Sequence, residues 1–135
     1  MTPLSDVEAK ALGRRWLAAG GVWREGMLDG LSRVRTHHAT GRSAYIRYRD
    51  TNWEWVDEPV ADTAWPDLRD AATRGAALEV VRERIGPISY VAHLWRNPGP
   101  TIAWVVLDRD GRVHGDAATE AEALVSALEA RHEHA

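Results

Sequence analysis

The chain has 135 residues, of which 44% are apolar and 27% charged, and a formal net charge of −3. That length describes a single domain, 1–135, with a real core, and the charge excludes a long basic track for DNA or RNA. There is no Cys, so disulfides and thiolate chemistry are excluded as well.

Residues 5–19 read as a helix. Ser5 and Glu8 form an S-x-x-E capping box, and Ala9, Leu12, Trp16 and Ala19 fall on one stripe. Arg14 and Arg15 lie off it, and Gly20-Gly21 ends the helix. Residues 22–30 form a connector pinned to the core by Trp23, Met27 and Leu28.

Residues 31–36 and 43–49 read as strands joined by 37–42. In the second, Ala44, Ile46 and Tyr48 alternate with Tyr45, Arg47 and Arg49, giving an apolar face and a cationic-aromatic one. Asp50-Thr51-Asn52 reads as a tight turn into a strand over 53–57, in which Trp53 and Trp55 share a face. Residues 59–67 form a loop anchored by Trp65.

The stretch 65–86 organises the chain. Asp70 is placed to cap a helix, because its short carboxylate accepts N–H groups that the first turn leaves unpaired. Leu78, Val81 and Ile85 share one face, which Ala71 and Gly75 continue with small residues that let another element approach. Gly86-Pro87 stops the helix.

Residues 88–96 and 101–107 form the strongest strand pair, joined by the Asn97-Pro98-Gly99-Pro100 turn. Both faces of 101–107 are apolar, so that strand is expected to be central and covered on both sides. Asp110-Gly111 turns into a short strand, 112–114. Residues 119–131 form the last helix. Thr119 and Glu122 make a second capping box, and Ala121, Leu124, Val125 and Leu128 form its buried stripe, with 132–135 frayed. The expected fold is α+β: an α-β-α sandwich with a central, mostly antiparallel sheet of about five to six strands between three helices.

Several of these segments resemble the small phage and prophage proteins grouped as the phage ABA-sandwich domain. They are Trp23-Arg24-Glu25-Gly26-Met27, Trp65-Pro66-Asp67-Leu68-Arg69-Asp70-Ala71-Ala72-Thr73-Arg74-Gly75, Val81-Arg82-Glu83, Val113-His114-Gly115 and residues 119–128. The most specific piece is P-D-L-x-D-x-A-T-x-G. The resemblance implies a sheet between helical layers and a phage setting, hence the cytoplasm of an infected host. It implies no catalytic activity and no functional residues.

Composition adds two biases: seven Trp with no Phe, and sixteen Arg against one Lys, Lys10. Arg binds planar anions bidentately, and aromatic–Arg mixtures recur at ligand sites. The ordinary reading of the Arg bias is coding preference in a GC-rich genome. The richest stretch is 31–55, with Arg33, Arg35, His37, His38, Arg42, Tyr45, Arg47, Arg49, Trp53 and Trp55 as candidate ligand-binding residues. Guanidinium forks and rings on one surface suit phosphates and bases. The competing reading is a solvated face whose Arg pair with Glu54, Asp57, Glu58, Asp62, Asp67 and Asp70.

No Walker loop, G-x-G-x-x-G or G-x-S-x-G occurs, and no metal-ligand spacing. His93 and His114 fall on strands with no neighbouring partner that suggests a triad, and His132 and His134 lie on the tail. No cofactor, no catalytic residue and no membrane contact are expected. The leading expectation is a non-enzymatic sponge that sequesters a small nucleotide-like immune signal, acting as a homo-oligomer. The alternative is a module that binds and blocks a host defence protein. A phosphoester enzyme using His37 or His38 ranks third.

Overall fold

A computed structural model describes residues 4–36, 42–86, 90–96 and 101–133. In chain order it contains α1 (Asp6–Ala18), β1 (Arg42–Arg49), β2 (Asn52–Pro59), α2 (Ala71–Ile85), β3 (Tyr90–Arg96), β4 (Thr101–Leu107), β5 (Val113–Ala117) and α3 (Glu120–Glu133). The class is α+β. Among the described residues the strands join in two antiparallel sheets, β1-β2 and β3-β4-β5, instead of the single central sheet expected. The chain divides into two compact units, 1–14 with 22–76 and 15–21 with 77–135. Residues of α1 and of α2 fall in both units.

Each helix start is secured by the cap its sequence announces. The Ser5 hydroxyl accepts the Glu8 N–H at 3.2 Å while Glu8 accepts the Ser5 N–H at 3.1 Å. These bonds hold the Glu8 carboxyl below its ordinary pKa. Asp70 accepts the Thr73 N–H at 3.0 Å. Thr119 accepts the Glu122 N–H at 3.2 Å, but the Glu122 carboxylate takes the Thr119 hydroxyl and not its backbone N–H.

The stripe of α1 is as expected, with Ala9, Leu12, Trp16 and Ala19 buried. That of α3 is broader, because Ala123 and Ala127 join Ala121, Leu124, Val125 and Leu128. The helix also runs past the expected frayed end: His132 and Glu133 continue it, and 134–135 lie outside the described residues.

The buried face of α2 differs from the expected one. Thr73, Ala77, Val80 and Val81 are buried, whereas Ala71 and Gly75 are exposed and Leu78 and Ile85 half-buried. The helix is rotated so that Thr73, a polar residue, faces inward. Its hydroxyl is fully used: it donates to Asp70 at 2.9 Å and accepts the Leu28 N–H at 2.9 Å. Among the described residues nothing lies within 4 Å of where a Cβ on Gly75 would sit.

In the second unit β4 is the central strand, with Val105 and Val106 both fully buried. Adjacent strand residues point to opposite faces, so both sides of β4 are covered, as its uniform apolarity predicts. Helix α3 lies on β5 and β4. It comes so close that a Cβ on Gly115 would sit 2.5 Å from the Ala127 nitrogen and 2.7 Å from the Ala123 carbonyl oxygen. Arg15 and Glu129 form a two-bond fork in the same unit, at 2.6 and 3.2 Å.

In the first unit the expected strand 31–36 is a correction. The segment is the return limb of a tight loop, with Leu28 and Arg35 in an isolated bridge and Arg33 at φ 63°. The loop is stitched to the approach to α2 by Gly30 N–H to the Trp65 carbonyl at 2.8 Å and Asp67 N–H to the Leu28 carbonyl at 2.9 Å. Gly30 is required there, because any Cβ would overlap the Trp65 ring.

Candidate functional site

The loop 26–36 and the segment 65–70 frame an open cleft of about 600 Å³, lined by Leu28, Gly30, Trp65 and a group of charged side chains. The volume is that of a small-molecule site. Its charges are already matched. Asp67, almost wholly buried, accepts the Arg69 Nε and backbone N–H through one oxygen, at 2.9 and 3.1 Å. Its other oxygen takes one N–H from Arg69 and one from Arg33, each at 2.9 Å. Arg69 also reaches Asp6 at 2.6 Å. Beside this group Arg35 grips Asp70 with two N–H groups, at 2.7 and 2.8 Å, and donates to the Gly26 carbonyl at 3.0 Å.

The pKa values follow the geometry. Burial pushes Asp67 up, but the Arg69 and Arg33 bonds outweigh it and the carboxyl titrates below its ordinary value. The Arg35 fork, then the Thr73 bonds, hold Asp70 far below the carboxylate range. The bonds to Asp67 and Asp6 raise Arg69. Asp67, Asp70 and Arg69 are therefore fixed ions near neutrality. Their pH dependence has one sign. Because both carboxyls are depressed in the folded chain, the stability they contribute is complete above the unfolded value of about 4 and is lost as pH falls through the folded values. The melting temperature, read by Trp fluorescence, is expected to stay level in this respect from about pH 8 to pH 5 and to drop below about pH 4. An Asp70→Asn variant is expected to start lower and lose less on acidification. Equal acid slopes in the two proteins would contradict this assignment.

Of the ten candidate residues, Arg33 and Arg35 are placed at or beside the cleft. Arg33 borders the cleft, and its guanidinium donates to Asp67 alone among the described residues. Arg35 is occupied by Asp70, so for these two Arg the pairing with acids of 54–70 holds. His37 and His38 lie outside the described residues. The other six lie on the β1-β2 hairpin, where the register is Ser43↔Glu58, Tyr45↔Val56, Ile46↔Trp55, Arg47↔Glu54, Tyr48↔Trp53 and Arg49↔Asn52. Tyr45, Arg47 and Arg49 thus share one face of the ladder. Trp53 and Trp55 take the opposite one, with positions 42, 44, 46 and 48. The side chains of 42–49 and 55–59 lie outside the described part, whereas Trp53 is described and 71% exposed.

Asp6, Asp67, Arg69 and Asp70 are the charged cleft residues that the sequence reading did not select as a site. The available signal was the D-L-R-D run, in which two acids precede the first turn of a helix and an Arg lies between them.

His114 proves to have a near partner, Asp108, at 2.7 Å. Asp108 also accepts the N–H groups of Asp110 and Arg112, so the pair braces the turn into β5. No group of three or more His, Asp or Glu suited to a metal occurs among the described residues, and no helix there is long and apolar enough to cross a membrane. Comparison with family models, curated proteins and solved structures finds no match to this chain.

Proposed function

We propose that this is a non-enzymatic binding protein that engages and blocks a partner protein through the β1-β2 hairpin. The observation that carries the reading is Trp53, a large aromatic side chain left 71% exposed on the hairpin. By register it shares a face with Ala44, Ile46, Tyr48 and Trp55, with Arg42 and Asp57 at the far end of the ladder, so the part of this face near the turn is apolar. A two-stranded ribbon with one apolar face gains stability when that face is covered. Exposed Trp is also among the residues favoured at binding hot spots. The phage setting and the sheet between helical layers come from the family resemblance; these, the host defence target and a sandwich of about five to six strands belong to this proposal.

The test is a Trp53→Ala variant. Stability is expected to change by less than about 0.5 kcal/mol, because so little of the side chain is buried. Capture of a host protein from lysate is expected to fall at least about tenfold. Equal capture by both proteins would overturn the proposal.

A second reading is sequestration of a nucleotide signal in a homo-oligomer. Arg33 favours it, since its guanidinium borders an open cleft with donors left over. Against it stand the three carboxylates in the same lining and the register that separates Trp53 and Trp55 from Arg47 and Arg49.

A further inference from the structure

The hairpin carries one unusual feature at its tip. Asp50 and Thr51 have φ 51° and 64°, the pattern of a two-residue type I′ turn, in the left-handed region that Asn-Gly fills at low cost. A β-branched residue there is strained. The Thr51 hydroxyl donates to the Asp50 carbonyl at 2.6 Å, a contact within the turn itself.

The ladder is two-fold about the bond between these two residues, running from Arg49↔Asn52 out to Arg42↔Pro59. Charge follows the same division. β1 carries Arg42, Arg47 and Arg49 and no acid; β2 carries Glu54, Asp57 and Glu58 and no base. The main backbone contacts of the two strands, among the described elements, are with each other.

We infer that the hairpin opens at Asp50-Thr51 and exchanges with a second copy of the chain, so that β1 of each copy pairs with β2 of the other in an intertwined two-fold dimer. Every ladder pair is kept, because the register is symmetric about the hinge. Both strained turns are extended. Basic strand still meets acidic strand, whereas simple edge pairing of β1 with β1, or β2 with β2, would set like charges side by side. Short hinge loops under strain are known to favour such exchange, and a closed two-fold limits it to a dimer. The inference rests on the hairpin's own geometry and not on what the hairpin binds. Its failure would leave the capture experiment with Trp53→Ala untouched, and the reverse holds as well.

The absence of Cys makes the test clean. Ser43 and Glu58 are register partners. Chains carrying Ser43→Cys and chains carrying Glu58→Cys are unfolded together, refolded at equal concentration and oxidised. The expected result is a covalent heterodimer on a non-reducing gel, with dimers of the parent chain in sedimentation at high concentration. Thr51→Gly, which relaxes the closed turn, is expected to weaken the dimer on the order of 100-fold, about tenfold for each of the two turns. A parent chain that stays monomeric at every concentration overturns the inference. So does a dimer that gives no 43–58 cross-link, or one that Thr51→Gly leaves equally tight.

Discussion

Gly115→Val is expected to destabilise the protein by about 3 kcal/mol, a lowering of Tm by roughly 10 °C. The obstacle is backbone on every side. A Cβ would lie 2.5 Å from the Ala127 nitrogen, 2.7 Å from the Ala123 oxygen and 2.9 Å from the Ala127 Cα. No rotamer change relieves these contacts; β5 and α3 must move apart. That separation would reach Leu124 and Leu128, which are buried on α3. Denaturant unfolding measures the cost. A loss under about 1 kcal/mol would show that β5 does not lie so close to α3.

Asp67→Ala is the second large effect, expected at about 3 kcal/mol. The carboxylate is buried and accepts four N–H groups, three of them from Arg69. Removing it leaves the Arg69 guanidinium facing a void with only Asp6 as counter-ion, and Asp6 is itself exposed. Arg33→Ala is the control. It breaks one bond to the same carboxylate, but the Arg33 side chain is 62% exposed, so the cost is expected below about 1 kcal/mol. If the two substitutions cost the same, Asp67 is not the centre of the cleft.

The contrast between these two Arg explains what the sequence could and could not disclose. Local signals survive folding. The caps at Ser5, Asp70 and Thr119 and the two-faced apolarity of β4 all depend on neighbours a few residues away, and each appears as read. Long-range pairing is where local signals run out. Nothing within 31–36 says that Arg33 will meet Asp67 and that Arg35 will meet Asp70, thirty-four and thirty-five residues on. With those partners unseen, alternation of Arg with Val34 and Thr36 looks like a strand.

The buried face of α2 departs from its periodicity for a related reason: of the expected Leu78, Val81 and Ile85, Val81 is buried and the other two are half-buried. Periodicity favours Leu78 and Ile85, but the buried side is chosen by Thr73, which only the loop at Leu28 makes welcome. On the hairpin the alternation in β1 was legible, whereas the placing of Trp53 and Trp55 against it depends on register, which the two-residue turn sets.

The cleft uses its charges in folding, and the proposal places partner binding on the hairpin that carries the exposed Trp53. The measurement that separates this account from sequestration most directly is a thermal panel. The purified protein is mixed with cyclic dinucleotides, cyclic trinucleotides and cyclic ADP-ribose isomers, and its melting is followed by Trp fluorescence. A ligand that binds only the folded chain must raise the melting temperature by mass action. The account predicts no shift with any of them. A rise of several degrees with one nucleotide, recovered intact on denaturation, would contradict it and assign the protein to sequestration.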